Sequence, residues 1–368
     1  MDRANIVIVG GGVVGCAIAS MAAGRWADVF LLEQMPRVGM GASSRNSGVI
    51  HSGLYYEPGS LKAKLCVRGN PLDYEFCTAH GVAHRNTGKL VVATTPEEVP
   101  ELEKLVEIGN RNGLEGLRIV DRAAIRKREP HIEACAAIEV PSTGIVASEE
   151  LVKACARLAT DRGANLVMHA KVERLESSNG IVRVSSTAGE IETRCLVNSA
   201  GLYADEVAAM LGSPLAEHRI YPVRGEYCEL VRAKSYLVNS LVYPMPEHNG
   251  LSLGVHLTKT LWDTVLIGPT ASYVERKDDY ESNRLPVEEF VKMARHMLPE
   301  VQAADMVQAY SGLRAKLTPP GQKGRGDFII TRDPVFPSVV QLIGMESPAL
   351  TSALEIAEYV GSLIQEIM

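Results

Sequence analysis

NIVIVGGGVVGCAIASMAAGRWADVFLLE, residues 5–33, decides the fold of this chain. A β-branched run, Ile6 to Val9, meets Gly10-Gly11-Gly12, and Gly15 follows inside an apolar helical stretch. A second apolar strand, Val29 to Leu32, ends in Glu33. Strand, G-x-G-x-x-G, helix, strand and terminal acid together describe a dinucleotide-binding βαβ unit. Gly10 permits the tight turn. Gly12 lets the backbone approach a pyrophosphate with no Cβ in the way, and Gly15 lets the helix pack close on the strand. The helix N-terminus offers amides and partial positive charge to phosphate, while Glu33 is placed to accept hydrogens from an adenosine ribose. A secretory signal peptide is the competing reading of this apolar segment. It is disfavoured because no basic n-region precedes the run and three glycines break it.

At 368 residues the chain exceeds the size at which one core usually stops growing, so two domains are expected. A net charge of -6 and a pI of about 5.9 argue against a nucleic-acid partner, which needs a basic face. No uncharged, glycine-free apolar segment reaches the roughly 18 residues of a membrane span, so no transmembrane helix is predicted and only peripheral membrane contact stays open. The seven cysteines include no C-x-x-C pair. They read as reduced, mostly buried thiols of a cytoplasmic protein without a metal site.

Residues 149–165 show helical spacing, followed by strands Leu166 to Leu175 and Ile181 to Ser186, a hairpin at Gly189, and a strand Glu190 to Val197. NSAGLYADEVAAML then reads strand, turn, helix, and Phe328 to Met368 reads strand, Gly344 turn, helix. Residues 81–145 and 215–325 differ. They carry strands such as Lys89 to Ala93, Glu226 to Val231 and Val265 to Ile267, helices at 97–112 and 287–298, and scattered prolines. The expected architecture is α/β with an α+β second domain. A discontinuous Rossmann-like cofactor domain (1–80, 146–214 and 326–368) interleaves with a mainly antiparallel substrate domain (81–145 and 215–325).

A second polar loop follows Glu33. Gly39, Gly41, Ser43, Ser44, Asn46, Ser47 and Gly48 suit further phosphates or a polar ring system, which a flavin dinucleotide has. The stretches NSGVIHSGLYYEPGSLKAKLCVRGN (46–70), TGKLVVAT (87–94), REPHI (128–132), PSTGIV (141–146) and NSAGLYAD (198–205) carry a resemblance that spans nearly the whole chain. So do RGEYCEL (224–230), VYPMPEHNGLSLGVHLT (242–258), SGLRAKL (311–317) and GMESPALTSALEIAEYV (344–360). The sequence resembles the D-amino-acid-oxidase-like family of flavoproteins, and within it the L-2-hydroxyglutarate dehydrogenases, with glycerol-3-phosphate oxidases as near relatives.

The resemblance implies FAD and oxidation of a small hydroxy acid. By position it implies that Gly10, Gly12, Val13, Val14 and Gly15 hold the pyrophosphate and that Glu33 and Gln34 meet the ribose. It puts Gly41, Ala42, Ser43 and Ser44 at phosphates and Asn46, Ser47 and Gly48 at the flavin ring. Val172 would meet the adenine, and Ala200 and Gly201 would pass close to the cofactor. Gly344, Met345, Glu346, Ser347, Pro348, Leu350 and Thr351 would cover the pyrimidine end of the flavin. No cysteine or histidine stands out as a covalent anchor.

Oxidising a hydroxyl needs a base, a hydride acceptor and cations for the acid. His51, three residues beyond the flavin loop, is the leading base, and His256 in GVHLT is its rival. Arg314 in SGLRAKL is expected to clamp a carboxylate, because a guanidinium matches its fork and keeps its charge. Lys259 is expected to meet a second carboxylate or a phosphate. Tyr56 and Tyr243 are placed in the pocket wall, and Lys62 and Lys64 on a solvated helix face. The expected substrate is L-2-hydroxyglutarate, with glycerol 3-phosphate and amino-acid or sarcosine-type amines as alternatives. Oxygen or a quinone is the expected electron acceptor. A flavin-binding protein without turnover is the reading from another class.

Overall fold

The computed structural model describes residues 2–246, 253–324 and 326–368. Strand Asp2–Val9 lies inside an eight-stranded sheet, parallel to Gly189–Asn198 on one side and to Val29–Leu32 on the other. Val29–Leu32 in turn pairs in parallel with Asn165–Val167. The long strand Gly189–Asn198 has two partners on its far side. Its first half takes the hairpin strand Ile181–Ser186 and its second half takes Val339–Ile343. Both faces of the parallel strands are covered, which is why they read as unbroken apolar runs.

Helix Val13–Ala23 is buried through Ala22, wedged between helices Ser148–Asp161 and Ala349–Gln365. Its tight approach to the first strand is visible at one atom pair. A Cβ added to Gly15 would lie 1.9 Å from the carbonyl oxygen of Gly10. Gly10 itself has φ +101°, which only glycine adopts without strain.

The second large sheet has nine strands. It is antiparallel except where Leu241–Pro244 runs parallel to Lys89–Ala93. The strand expected from Glu226 is the second half of a longer one, Tyr221–Leu230, paired along its length with Met306–Lys316. The helices expected at 97–112 and 287–298 are Val99–Arg111 and Val287–Ala294.

One strand expectation changes. The single strand Leu166 to Leu175 is two, Asn165–Val167 and Val172–Ser178, which pair with different neighbours. Between them His169 takes φ +55° and its carbonyl accepts from Thr187 Oγ1 at 2.6 Å, so the chain turns. A three-stranded sheet of Val49–Ile50, His84–Asn86 and Gly144–Val146 also ties residues on both sides of the expected cut at 80/81. The chain crosses there as a shared sheet.

Candidate active site

A cleft of about 470 Å³ runs along the C-terminal ends of the parallel strands, the place where open α/β sheets bind ligands. Gly10, Gly12, Val13, Val14, Glu33, Gln34, Gly41, Ala42, Ser43, Val172, Ala200 and Gly201 line it. Glu33 is only 8% exposed and is clamped in position. Its Oε2 accepts from the Gly11 amide at 2.6 Å and its Oε1 from Met35 at 2.8 Å. Burial pushes its carboxyl up, and backbone amides of Met35, Gly11 and Gln34 oppose that. A carboxylate has about four acceptor positions, so capacity remains for ribose hydroxyls. At Gly12 an added Cβ would meet only Ser43 Oγ, at 3.2 Å, so that face of the glycine opens to the cleft.

The polar loop is sewn into shape by its own side chains. Asn46 donates to the carbonyl of Ser43 at 2.8 Å and accepts from the amide of Gly48 at 2.8 Å. Ser43 Oγ accepts from the Val13 amide at the helix start. The loop also docks on strand Met306–Lys316, where Tyr310 donates to the Asn46 carbonyl at 2.7 Å. A Cβ at Gly312 would sit 2.0 Å from the Arg45 carbonyl.

A second cavity, about 160 Å³, adjoins the cleft. Val13, Ala42, Ser43, Arg45 and Met345 line both, so the two spaces meet. Asn46, Ser47, Glu346, Ser347, Pro348 and Leu350 complete the cofactor side of the cavity. His51, Tyr243, His256 and Arg314 line its wall. Residues far apart in sequence thus converge on one small volume.

Both histidines are held neutral. His256 is buried and stacked on Tyr243, with ring centroids 3.7 Å apart. Its Nδ1 lies 2.9 Å from the Gly254 carbonyl, which fixes the proton there and leaves Nε2 as an acceptor. Burial first, offset by the bond to Gly254, and then the charges of Arg314 and Lys89 push it down to about 3. Burial, Lys89, His256 and Arg314 hold His51 well below the usual imidazole range. The His51 backbone is pinned, its amide donating to Thr351 Oγ1 at 2.9 Å and its carbonyl accepting from Asn70. Nδ1 of His51 is buried with no hydrogen-bond partner among the described residues, and Nε2 stands 3.4 Å from Ser347 Oγ.

Arg314 is half-buried in the cavity wall. Among the described residues it has neither an ion pair nor a hydrogen bond, so an incoming anion meets a guanidinium with no competitor. Glu346 is the carboxylate of the cavity, and it is spoken for. Lys62 Nζ lies at 2.9 Å and Lys316 Nζ at 3.3 Å, and all three side chains are buried. Burial raises the Glu346 carboxyl, but the cations of Lys62, Lys316 and Arg314 outweigh it, and the net shift is downward.

Several placements differ from the sequence reading. Lys62 does not lie on a solvated face; it is buried against Glu346. Lys259 sits outside the cavity wall and donates to the Ser235 carbonyl at 2.7 Å. Tyr56 packs with Ala63 and Cys66 rather than in the wall. Gly15, Ser44, Gly48, Gly344 and Thr351 act behind the surface: Gly344, φ +77°, packs on Leu317, and Gly48, φ +65°, on the Val146 carbonyl. Residues 247–252 of the 242–258 stretch lie outside the described residues. The sequence reading passed over Arg45, Tyr227, Lys277 and Tyr280. Arg45 was within reach of it, being the one cation of a polar cofactor loop.

The FAD dependent oxidoreductase model, DAO, matches residues 5–363. The chain belongs to this family. It is 33% identical over 387 residues to the L-2-hydroxyglutarate dehydrogenase of Indibacter alkaliphilus, covering 96% of each chain. It is 31% identical to the mitochondrial L-2-hydroxyglutarate dehydrogenase of Homo sapiens, covering 98% of this chain and 89% of that one. Among solved structures, L-alpha-glycerophosphate oxidase from Mycoplasma pneumoniae with FAD bound superposes with a TM-score of 0.90 at 26% identity. That match covers 99% of this chain and 95% of the other. The protein is an FAD-dependent oxidoreductase, and the cleft fits its cofactor: a glycine-lined turn, the clamped carboxylate of Glu33 and a helix start at one end, and a polar loop at the other. No described helix is long and apolar enough to cross a membrane.

The two glycines separate binding from folding. Gly12→Val should put a branched side chain into the cleft and yield folded protein with little visible flavin absorbance per chain. Gly15→Ala should instead cost about 3 kcal/mol or more, since helix or strand must move, and should shift urea unfolding to lower concentration. Full flavin content in Gly12→Val would show that the cofactor does not lie against this turn.

Proposed function

We propose that the protein oxidises a small 2-hydroxy acid, with L-2-hydroxyglutarate to 2-oxoglutarate as the reading the site supports best. The observation that carries it is Arg314, a guanidinium without an ion pair among the described residues, lining with two neutral imidazoles a cavity that opens on the cofactor cleft. FAD supplies the hydride acceptor. Arg314 binds the carboxylate and turns the 2-carbon toward the cleft. His51 takes the hydroxyl proton, and His256, held by Gly254 and stacked on Tyr243, packs beside the reacting carbon as the alternative acceptor. An imidazole must be neutral to accept, which burial and the nearby cations ensure. The cavity suits an amine poorly, because Glu346 is committed to two lysines and no other carboxylate lines the wall among the described residues.

Glycerol 3-phosphate is the second reading, favoured by the close superposition on a glycerophosphate oxidase. Oxygen or a quinone is the proposed electron acceptor. Seven free cysteines, six of them buried, suit a cytoplasmic location.

Anaerobic bleaching of the bound flavin decides between substrates. L-2-hydroxyglutarate should bleach it fastest among L- and D-2-hydroxyglutarate, L-lactate, glycerol 3-phosphate and glycine. Bleaching by glycerol 3-phosphate alone would replace the proposal with the second reading. Arg314→Met should weaken use of every acid by about tenfold or more, as charge-assisted hydrogen bonds contribute about 1.5–3 kcal/mol.

His51→Ala should keep its flavin and lose about 100- to 10,000-fold in reductive rate. An unchanged rate would transfer the proton to His256. The lowered imidazole values set the pH behaviour: protonation disables the base only below its shifted value. At saturating substrate the wild-type rate should therefore stay level from pH 8 down through 6.5, where an ordinary histidine would already be half protonated.

A further inference from the structure

Lys89 opens strand Lys89–Ala93, and its side chain is fully buried. Among the described residues its Nζ has no hydrogen bond and no carboxylate partner. Aromatic rings surround it instead. The ammonium stands 4.4 Å from the centroid of Tyr55 and 4.6 Å from that of Tyr243. Tyr243 carries the His256 imidazole stacked at 3.7 Å, so one tyrosine ring bridges Lys89 to the cavity wall.

The register explains the alignment. Lys89 pairs with Leu241 and Leu241 with Thr258, so Lys89, Tyr243 and His256 share one face of three adjacent strands. Other groups face this nitrogen from neighbouring elements. Cys66, on helix Leu61–His80, favours its charge, while His51 and His256 are both depressed by it. Asp73 acts on Cys66 from the same helix, and Arg314 stands on the cavity wall. Glu139, on the adjoining strand, pairs opposite Leu90 and turns to the other face, where it meets Arg118.

We propose that Lys89 takes up a proton when an anion enters the cavity, so that charge is placed behind the histidines only when there is an acid to balance it. This rests on the reading of the cavity as an anion site. The argument is one of solvation. The two ring faces attract the ammonium, but they do not replace the water and the anion that a buried cation loses, so the charged form stays costly. Burial accordingly pushes Lys89 down to about 7. An acid held by Arg314 adds negative charge on the far side of Tyr243 and His256 and favours the protonated amine. The coupling is reciprocal, so proton and anion each strengthen the binding of the other. Lys89 acts through these rings as a positioning residue.

The test is calorimetric titration of the FAD-loaded protein with 2-oxoglutarate, in buffers of different ionisation enthalpy, from pH 6 to 9. Wild-type protein should take up close to one proton per 2-oxoglutarate bound at pH 8 and almost none at pH 6, where Lys89 is already charged. Its affinity should fall about tenfold per pH unit above 7, as one linked proton requires. Lys89→Arg is charged throughout and should bind with no proton uptake and a flat pH dependence. Lys89→Met should bind more weakly, also without uptake. Binding to wild-type without uptake, or uptake that persists in Lys89→Arg, would overturn the proposal and leave the hydroxy-acid reading standing. If 2-oxoglutarate fails to bind but glycerol 3-phosphate does, the substrate reading falls and the same titration with glycerol 3-phosphate decides the role of Lys89. If neither anion binds, both ideas are wrong.

Discussion

The contact between Gly15 and the carbonyl of Gly10 sets the geometry from which the rest follows. At 1.9 Å from a hypothetical Cβ, it leaves no room for any side chain, and helix Val13–Ala23 sits directly on the first strand. That proximity aims the helix start along the strand ends. It also lets the Gly11 amide reach Glu33, which comes from the next strand over. A helix held farther off would lose both the cleft and the clamp on Glu33. The polar loop, tied to Val13 through Ser43 and to the second sheet through Tyr310, takes its position from the same fixed point.

Charge distribution is the second constraint. Arg314 and Glu346 line the cavity, Lys62 and Lys316 pair with Glu346, and Lys89 lies against the Tyr243 ring. Buried cations usually carry matched anions, because desolvating a charge alone is costly. Lys62 and Lys316 share Glu346, whereas among the described residues Arg314 and Lys89 form no ion pair with a carboxylate. An imbalance kept inside a folded protein suits a negatively charged ligand. It also keeps two imidazoles neutral without any proton acceptor having to be placed beside them.

Much of this was legible in the linear chain, and the reasons are local. Glycine spacing, a β-branched run and a terminal acid are consequences of backbone sterics over some thirty residues, so the βαβ unit and its cofactor class could be read directly. His51, His256, Arg314 and Tyr243 came from short motifs whose resemblance to known flavoproteins carried their placement. The misplaced charges are non-local, and the misread strand is a local turn. Lys62 looks like a surface lysine because its partner, Glu346, is 284 positions away. Lys259 has the right charge and the right neighbourhood, but its side chain ends on the Ser235 carbonyl. The apparent strand from Leu166 to Leu175 has continuous apolar character, and only the positive φ at His169 shows that it turns.

The sequence by itself determined the dinucleotide unit and the alternation of two sheet systems along the chain, because these rest on periodicity, glycine sterics and side-chain chemistry. Tertiary structure alone decided which cation lines the cavity and which are neutralised. It paired Lys62 and Lys316 with Glu346, left Arg314 open, and set Lys89 behind Tyr243. The physical reason is that a charge acquires its function from its burial and its partners. Both come from strand register and sheet packing between segments hundreds of residues apart, and neither is encoded at the position of the charge.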